Sequence, residues 1–116
     1  MTIWPESLAG RADFRRYRDG PEKRLQAYCR RAAVLQGYRP WHLAQARASA
    51  QSAGLPDDLI TGAAVLLAVE YKAGRNRQTP AQRAFQAAWE ASGGVYVLVW
   101  TLADFLEALD AHPIAR

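Results

Sequence analysis

The chain has 116 residues, half of them hydrophobic, which fits one compact domain with its own core and excludes a purely disordered chain. The net charge of +4 is placed unevenly: residues 1–56 hold ten Lys or Arg and four Asp or Glu, whereas residues 84–115 hold four acids and no base. Thirteen of the fifteen cations are Arg, whose planar guanidinium binds phosphate in a bidentate manner. The basic half suggests a polyanionic partner, although a GC-rich coding sequence also produces an Arg-rich chain.

The only cysteine, Cys29, excludes an intrachain disulfide. It falls on the apolar side of a predicted helix, which indicates a buried structural thiol rather than a nucleophile. Residues 1–6 lack the apolar run of a signal peptide, and the uncharged run Leu59–Val69 is too short to cross a bilayer. We therefore predict a soluble, cytoplasmic protein without a membrane partner.

Residues 1–20 are predicted to be an N-terminal arm or a short helix, and residues 21–116 a single domain. Bases and aromatic residues alternate in Arg11–Arg18, as in an arm that lies on DNA or on a second subunit. A packing helix with a solvated Arg face explains the same pattern. No internal repeat or low-complexity linker divides the rest of the chain.

A first helix is predicted from Pro21, because proline suits the first helical turn and Glu22 beside it favours the positive end of the helix dipole. Apolar residues recur at helical spacing up to Leu35, and Gly37 ends the helix. Residues 38–44 are predicted to be a strand or a sheet edge. Residues 44–53, rich in Ala, Gln and Ser, fit either a weak helix or a loop.

Two later segments are predicted to be buried strands. Val65–Lys72 is apolar almost throughout and carries charge only at its end, as a central strand that ends at a functional edge does. A turn at Thr61-Gly62 would pair it with Gly54–Ile60 in a hairpin. Val95–Trp100 is the second buried strand.

Helices are predicted to flank these strands. Thr79-Pro80-Ala81-Gln82 has the form of a capping box, in which the Thr caps the helix and the Gln reaches back, and Gly93-Gly94 ends that helix. A last helix is predicted over Thr101–Leu109. The strand–helix–strand portion is long enough for a right-handed crossover between parallel strands. We therefore predict an α/β fold with a central mixed sheet flanked by helices.

The hairpin sets which side chains share a face of the sheet. Side chains alternate along a strand, and in a hairpin with an even-numbered loop the numbers of paired residues sum to an odd value. Asp57 then shares a face with Glu70 and Lys72, whereas Asp58 and Tyr71 lie on the other face. An odd loop or a bulge would exchange Asp57 for Asp58, so this argument leaves the two open.

Two carboxylates and an ammonium on one face suit metal-assisted hydrolysis. Mg²⁺ prefers oxygen ligands and often takes one or two carboxylates, so Asp57 and Glu70 are candidate ligands, with the Tyr71 carbonyl as a third. Lys72 is a candidate to orient or deprotonate the attacking water and to offset developing charge. Taken alone, Glu-x-Lys also fits a surface ion pair at the end of a strand.

The order of these motifs resembles a known family of nucleases. Pro56-Asp57 followed by Glu70-Tyr71-Lys72 at the end of an apolar strand resembles the PD-(D/E)XK pattern. Together with Gly54-Leu55, the basic loop after Lys72 and Thr79–Gln82, it looks like the VRR-NUC branch, the virus-type replication-repair nuclease domain. The resemblance covers residues 21–110 and is weakest over 38–53. It implies a restriction-endonuclease-like core.

The resemblance also implies roles for individual residues. Asp57 and Glu70 would bind Mg²⁺ or Mn²⁺, and Lys72 would be the catalytic lysine. Glu22 matches an acid that some members bring towards the metal, although a helix-dipole charge explains it equally. Gln82 matches a glutamine that contacts metal-bound water or phosphate, in addition to its capping position. No organic cofactor is expected, since the chain has no Gly-rich phosphate loop.

The predicted activity is a Mg²⁺- or Mn²⁺-dependent endodeoxyribonuclease. The resemblance implies branched DNA such as a Holliday junction as substrate, a role in DNA repair, and a homodimer. A restriction-type or nicking nuclease on linear duplex, and a catalytically silent DNA-binding module, are the alternatives. Seven cations are candidate phosphate contacts, although they also fit a solvated basic face: Lys23, Arg24, Arg30, Arg31, Arg75, Arg77 and Arg83.

Overall fold

The computed structural model describes residues 21–43 and 53–115. The elements in chain order are helix α1 (Pro21–Leu35), strands β1 (Arg39–His42), β2 (Asp58–Gly62) and β3 (Val65–Tyr71), helix α2 (Pro80–Ala91), strand β4 (Val95–Val99) and helix α3 (Leu102–Ala111). The arm or helix predicted for residues 1–20, and most of the open stretch 44–53, lie outside the described residues.

The four strands form one mixed sheet in the order β1-β2-β3-β4. The β1–β2 and β2–β3 pairs are antiparallel, whereas β3 and β4 are parallel and are joined through α2. The predicted α/β fold with a mixed sheet flanked by helices is therefore confirmed. β4 was predicted to be a buried strand, but it lies at the sheet edge and is only partly buried.

The core fills the face of the sheet that α1 and α3 cover. The odd-numbered side chains of β3 point to this face and are buried, because side chains alternate along a strand. Small residues of α1, including Cys29 at 0% exposure, allow that helix to approach the sheet closely, and Phe105 and Leu109 of α3 complete the core. The predicted burial of Cys29 is confirmed, and burial raises the pKa of its thiol.

Helix α2 lies against the opposite face, at the β4 side. Its start is the predicted capping box: the Thr79 side chain accepts from the Gln82 N–H, and the Gln82 side chain accepts from the Thr79 N–H. Phe85 stacks on Trp89 along the helix and meets Tyr96 of β4 at 6.3 Å between ring centroids. The face is therefore covered near β4, and α2 brings Gln82 to the end of β3.

The hairpin turn lies two residues later than the predicted Thr61-Gly62. Gly62 pairs with Val65, so the loop is Ala63-Ala64, with Ala64 at φ 64°. A Cβ on Gly62 would lie 2.9 Å from Ile114 Cγ1, so this glycine allows the C-terminal segment to approach the strand. The two-residue loop is nevertheless even, as the assignment of faces requires.

Candidate active site

The β2–β3 register places Asp57 beside Glu70. Asp58 pairs with Val69, so one further residue in the same register sets Asp57 opposite Glu70. The Tyr71 N–H donates to Asp57 Oδ2 at 2.8 Å, which fixes the Asp57 carboxylate at the end of β3. The predicted sharing of a face by Asp57 and Glu70 is consistent with this geometry.

Asp58 belongs to a different cluster, on the core side of the sheet. Its carboxylate is fully buried and accepts from the Tyr71 hydroxyl at 2.7 Å. The Arg30 guanidinium donates to both of its oxygens, at 2.8 and 3.0 Å, and His42 Nδ1 lies 3.0 Å from Oδ1. The alternative left open by the sequence is therefore decided geometrically: Asp57, not Asp58, accompanies Glu70.

Lys72, Glu70 and Gln82 form one contact network. Lys72 Nζ lies 3.3 Å from Glu70 Oε2 and donates to Gln82 Oε1 at 3.0 Å. Gln82 Nε2 donates to the same Glu70 oxygen at 2.8 Å. Gln82 thus caps α2 and also holds the two charged side chains, so the capping role and the site role predicted for it are compatible. Both charged side chains are largely buried, at 2% exposure for Glu70 and 7% for Lys72.

The electrostatics of the site favour a cation. Burial raises the pKa of Glu70 to about 7; the Asp57 charge adds to this effect, and Lys72 opposes it. Burial also raises the pKa of Asp57, against the hydrogen bond from Tyr71. The Glu22 carboxylate contributes to raising both values, so three acids lie within electrostatic reach of one another.

One buried atom of this site lacks a partner. Glu70 Oε1 is the single buried side-chain oxygen or nitrogen, among the residues that the structure describes, without a hydrogen bond. An unpaired buried polar atom is costly, and such atoms occur where a ligand completes the site. The opposite oxygen of the same carboxylate is fully engaged by Lys72 and Gln82.

The donor set fits a hard divalent cation. Asp57 and Glu70 offer carboxylate oxygens, and Mg²⁺ binds through one or two carboxylates while keeping several waters. Within residues 21–43 and 53–115, no group of three His, Cys, Asp or Glu side chains stands close enough to hold a metal ion. Glu22 accepts a hydrogen bond from Asn76 at 3.2 Å. We therefore expect two carboxylates to carry the binding, and the ligand roles of Glu22 and the Tyr71 carbonyl stay predictions.

The candidate phosphate-binding cations occupy different environments. Arg75 and Arg77 are exposed on the loop after β3, and Arg83 is exposed on α2, where it donates to the Gln78 carbonyl. Arg24 is half-buried on α1, and Lys23 and Arg31 are exposed there. Arg30 differs from these cations, because its guanidinium binds the buried Asp58 carboxylate on the core side of the sheet. This contact stabilises the fold and does not present Arg30 to a phosphate.

The Arg30–Asp58 pair was not predicted from the sequence. Twenty-eight positions separate the two residues, and the local pattern around each suggests a separate role: a basic helix face for Arg30 and a candidate ligand for Asp58. The predicted presence of Asp58 and Tyr71 on one face was the only signal that pointed to this cluster. Their 2.7 Å hydrogen bond confirms that part.

Comparison with known proteins agrees with the fold. No family model matches the chain, and no curated protein matches its sequence. The solved structure of a VRR_NUC domain superposes with a TM-score of 0.63 at 22% identity, over 78% of this chain and 95% of that chain. The resemblance identified from the residues is thereby confirmed at the level of the fold, which is that of a VRR_NUC domain.

Proposed function

We propose that this protein is a metal-dependent DNA endonuclease that hydrolyses phosphodiester bonds. The observation that carries the proposal is the meeting of Asp57, Glu70 and Lys72 at the end of β3, with Glu70 Oε1 buried and unpaired. The fold likeness to a VRR_NUC domain supports a nuclease. None of the helices within residues 21–43 and 53–115 has the length and hydrophobicity of a membrane-spanning segment.

The residues of the site have separable tasks in this proposal. Asp57 and Glu70 would hold Mg²⁺ or Mn²⁺, which polarises the scissile phosphate and makes water a stronger nucleophile when bound. Gln82 and Glu70 hold the Lys72 side chain in one position. Its ammonium can therefore donate to a phosphate oxygen or to the attacking water without a further loss of side-chain conformational entropy. Gln82 keeps the Glu70 oxygen and the Lys72 ammonium in a fixed relation.

Exposed cations near the site suit a phosphate backbone. Arg75 and Arg77 follow Lys72 by a few residues, on the loop that connects β3 to α2. Arg83 lies one residue after Gln82 on α2. Contacts of this kind position a duplex and supply salt-sensitive affinity without reading sequence. They support DNA as the substrate class.

Branched DNA, a homodimer, a role in DNA repair and a cytoplasmic location form the finer part of the proposal. One site cuts one strand, so a two-fold dimer of this small chain would present two sites to the two strands of a junction. A restriction-type nuclease would instead cut linear duplex with a sequence preference, and a silent module would bind without cutting.

The test is cleavage of a labelled four-way junction and the matching linear duplex, in Mg²⁺, Mn²⁺ or EDTA. We expect metal-dependent nicking of the junction that Glu70→Ala abolishes and that Lys72→Ala reduces by about a hundredfold or more, with DNA binding retained. Glu107→Ala, which removes an exposed acid from α3, is the matched control and should cut normally. Full activity of Lys72→Ala would remove Lys72 from the mechanism.

The other outcomes separate the alternatives. Metal-dependent cutting of the linear duplex alone would keep the active site and replace the junction with a restriction-type substrate. Salt-sensitive binding with no cleavage in either metal would refute the nuclease and favour the silent module.

A further inference from the structure

An exposed tryptophan stands on the edge strand β1 without a role in the site described above. Trp41 is 45% exposed, although a large aromatic ring gains from burial. It is nonetheless held in place, because its Nε1–H donates to Thr61 Oγ1 at 2.9 Å. The Arg39 guanidinium lies over the ring, 4.2 Å from its centroid. Trp41 is therefore an oriented, solvent-facing aromatic surface with a cation beside it.

The strand register places this ring on the face of the sheet that carries Asp57 and Glu70. The Leu43 N–H donates to the Asp57 carbonyl at 2.9 Å, which continues the β1–β2 register and sets Leu43 opposite Asp57. Trp41 precedes Leu43 by two residues, so its side chain points to the same face as that of Asp57. Two residues along a strand and one step between strands give a separation of roughly 8 Å between the Trp41 and Asp57 Cα atoms.

The strand itself is poorly suited to pairing with another strand. Pro40 stands in the middle of β1 and has no N–H to donate, which is a common feature of edges that avoid such pairing. A charged Arg39 beside it has the same effect. The part of β1 available to a partner is therefore the Trp41 ring rather than the backbone edge of the strand. The neighbouring Arg39 guanidinium favours an anionic partner.

We propose that Trp41 stacks on an unpaired base of the nucleic-acid strand held at the active site, with Arg39 contacting its phosphate. This inference rests on the proposed nuclease function, and it adds a base-stacking position on β1 and a requirement for unpaired nucleotides near the cut. A flat ring and a cation match the two parts of a nucleotide, since bases stack on aromatic side chains and Arg binds phosphate.

Unpaired bases are required because those of an intact duplex are stacked on their neighbours. At about 3.4 Å of rise per nucleotide along one strand, roughly 8 Å corresponds to two or three nucleotides from the cut. The preferred substrate would therefore carry unpaired nucleotides within that distance of the scissile phosphate, as a flap or a gap does.

The first experiment measures binding in EDTA, where cleavage does not interfere, by anisotropy of a labelled single-stranded oligonucleotide and of a blunt duplex. Trp41→Ala should weaken binding of the single strand by about fivefold or more and leave duplex binding within about twofold. Trp41→Phe, which keeps a flat ring, should retain most of the affinity. Leu35→Ala is the control, because Leu35 is an exposed apolar residue on α1, at 60% exposure.

A second measurement does not depend on the folding of the Ala variant. Single-stranded oligonucleotide should quench the tryptophan fluorescence of the wild type, and Trp41→Phe should lose most of this quenching although three other tryptophans remain. Equal single-strand affinities of wild type and Trp41→Ala, or equal quenching of wild type and Trp41→Phe, would overturn the proposal.

Failure of this inference is distinguishable from failure of the nuclease. Cleavage that needs Glu70 but proceeds equally on flapped and blunt substrates in wild type and Trp41→Ala would refute the stacking role alone. Single-strand binding that depends on Trp41 in a protein that cuts nothing would support the stacking and refute the nuclease.

Discussion

The carboxyl group of Glu70 is predicted to make the metal-free protein less stable as pH rises. Its pKa is about 7 in the folded chain against 4.5 for the unperturbed group, mainly because it is buried. Below the lower value both the folded and the unfolded state carry the proton, so the group contributes no penalty. As pH rises from there the unfolded state loses the proton first, and folding becomes less favourable until the folded group has also ionised.

The size of the effect follows from the pKa difference. Each unit corresponds to about 1.4 kcal/mol, so Glu70 lowers the free energy of unfolding by about 3 kcal/mol at high pH, of which about 2 kcal/mol develops between pH 5 and pH 8. Glu70→Gln removes the ionisation while keeping an oxygen for Gln82 and Lys72. The variant should therefore gain stability relative to wild type as pH rises.

Urea unfolding of wild type, Glu70→Gln and the exposed control Glu107→Gln at pH 5 and pH 8, all in EDTA, tests this. The difference between Glu70→Gln and wild type should grow by about 2 kcal/mol over that interval, and Glu107→Gln should follow wild type. Parallel pH dependence of wild type and Glu70→Gln would refute the reasoning, because it would mean that Glu70 ionises as an ordinary surface acid.

Three further predictions concern the metal, the substrate and the core. At pH 8, Mg²⁺ at a hundredfold excess over its dissociation constant should stabilise the wild type by about 2.7 kcal/mol in thermal melts, and Glu70→Gln should lose most of this gain; equal gains in both would place the metal elsewhere. Arg75→Ala should weaken DNA binding and reduce the slope of log affinity against log salt by about one, and an unchanged slope would exclude a phosphate contact. Arg30→Ala should cost about 3 kcal/mol in urea unfolding because it leaves Asp58 buried without its bidentate partner, and a loss below about 1 kcal/mol would show that Tyr71 and His42 satisfy that carboxylate alone.

Local patterns in the sequence were sufficient to predict most elements. The helix from Pro21, the capping box at Thr79 and the apolar strand from Val65 each depend on residues close together in the chain, and the structure confirms all three. The turn was misplaced because Gly62 looks like a turn residue. In the structure, Gly62 is a strand residue that leaves room for the Ile114 side chain. Ile114 lies more than fifty positions away in the chain, so a local pattern does not reveal this approach.

The candidate site was predictable in part for the same reason. Alternation of side chains along β2 and β3 brought Asp57, Glu70 and Lys72 to one face, provided that the hairpin loop was even. The sequence left Asp57 and Asp58 as alternatives, since an inserted residue would exchange them. The structure separates the two by what each carboxylate contacts: a backbone N–H at the end of β3 for Asp57, and Arg30 for Asp58.

The α/β alternation, the start of α2 and the candidate residues for metal-assisted hydrolysis could all be predicted from the sequence, because short-range spacing controls each of these. Three contacts became visible in the folded chain alone: Gln82 holds both Glu70 and Lys72, Arg30 binds Asp58 on the core side of the sheet, and Trp41 lies near Asp57. These contacts join segments distant in the chain, and their geometry depends on strand register and helix packing, which become defined only when the whole core assembles.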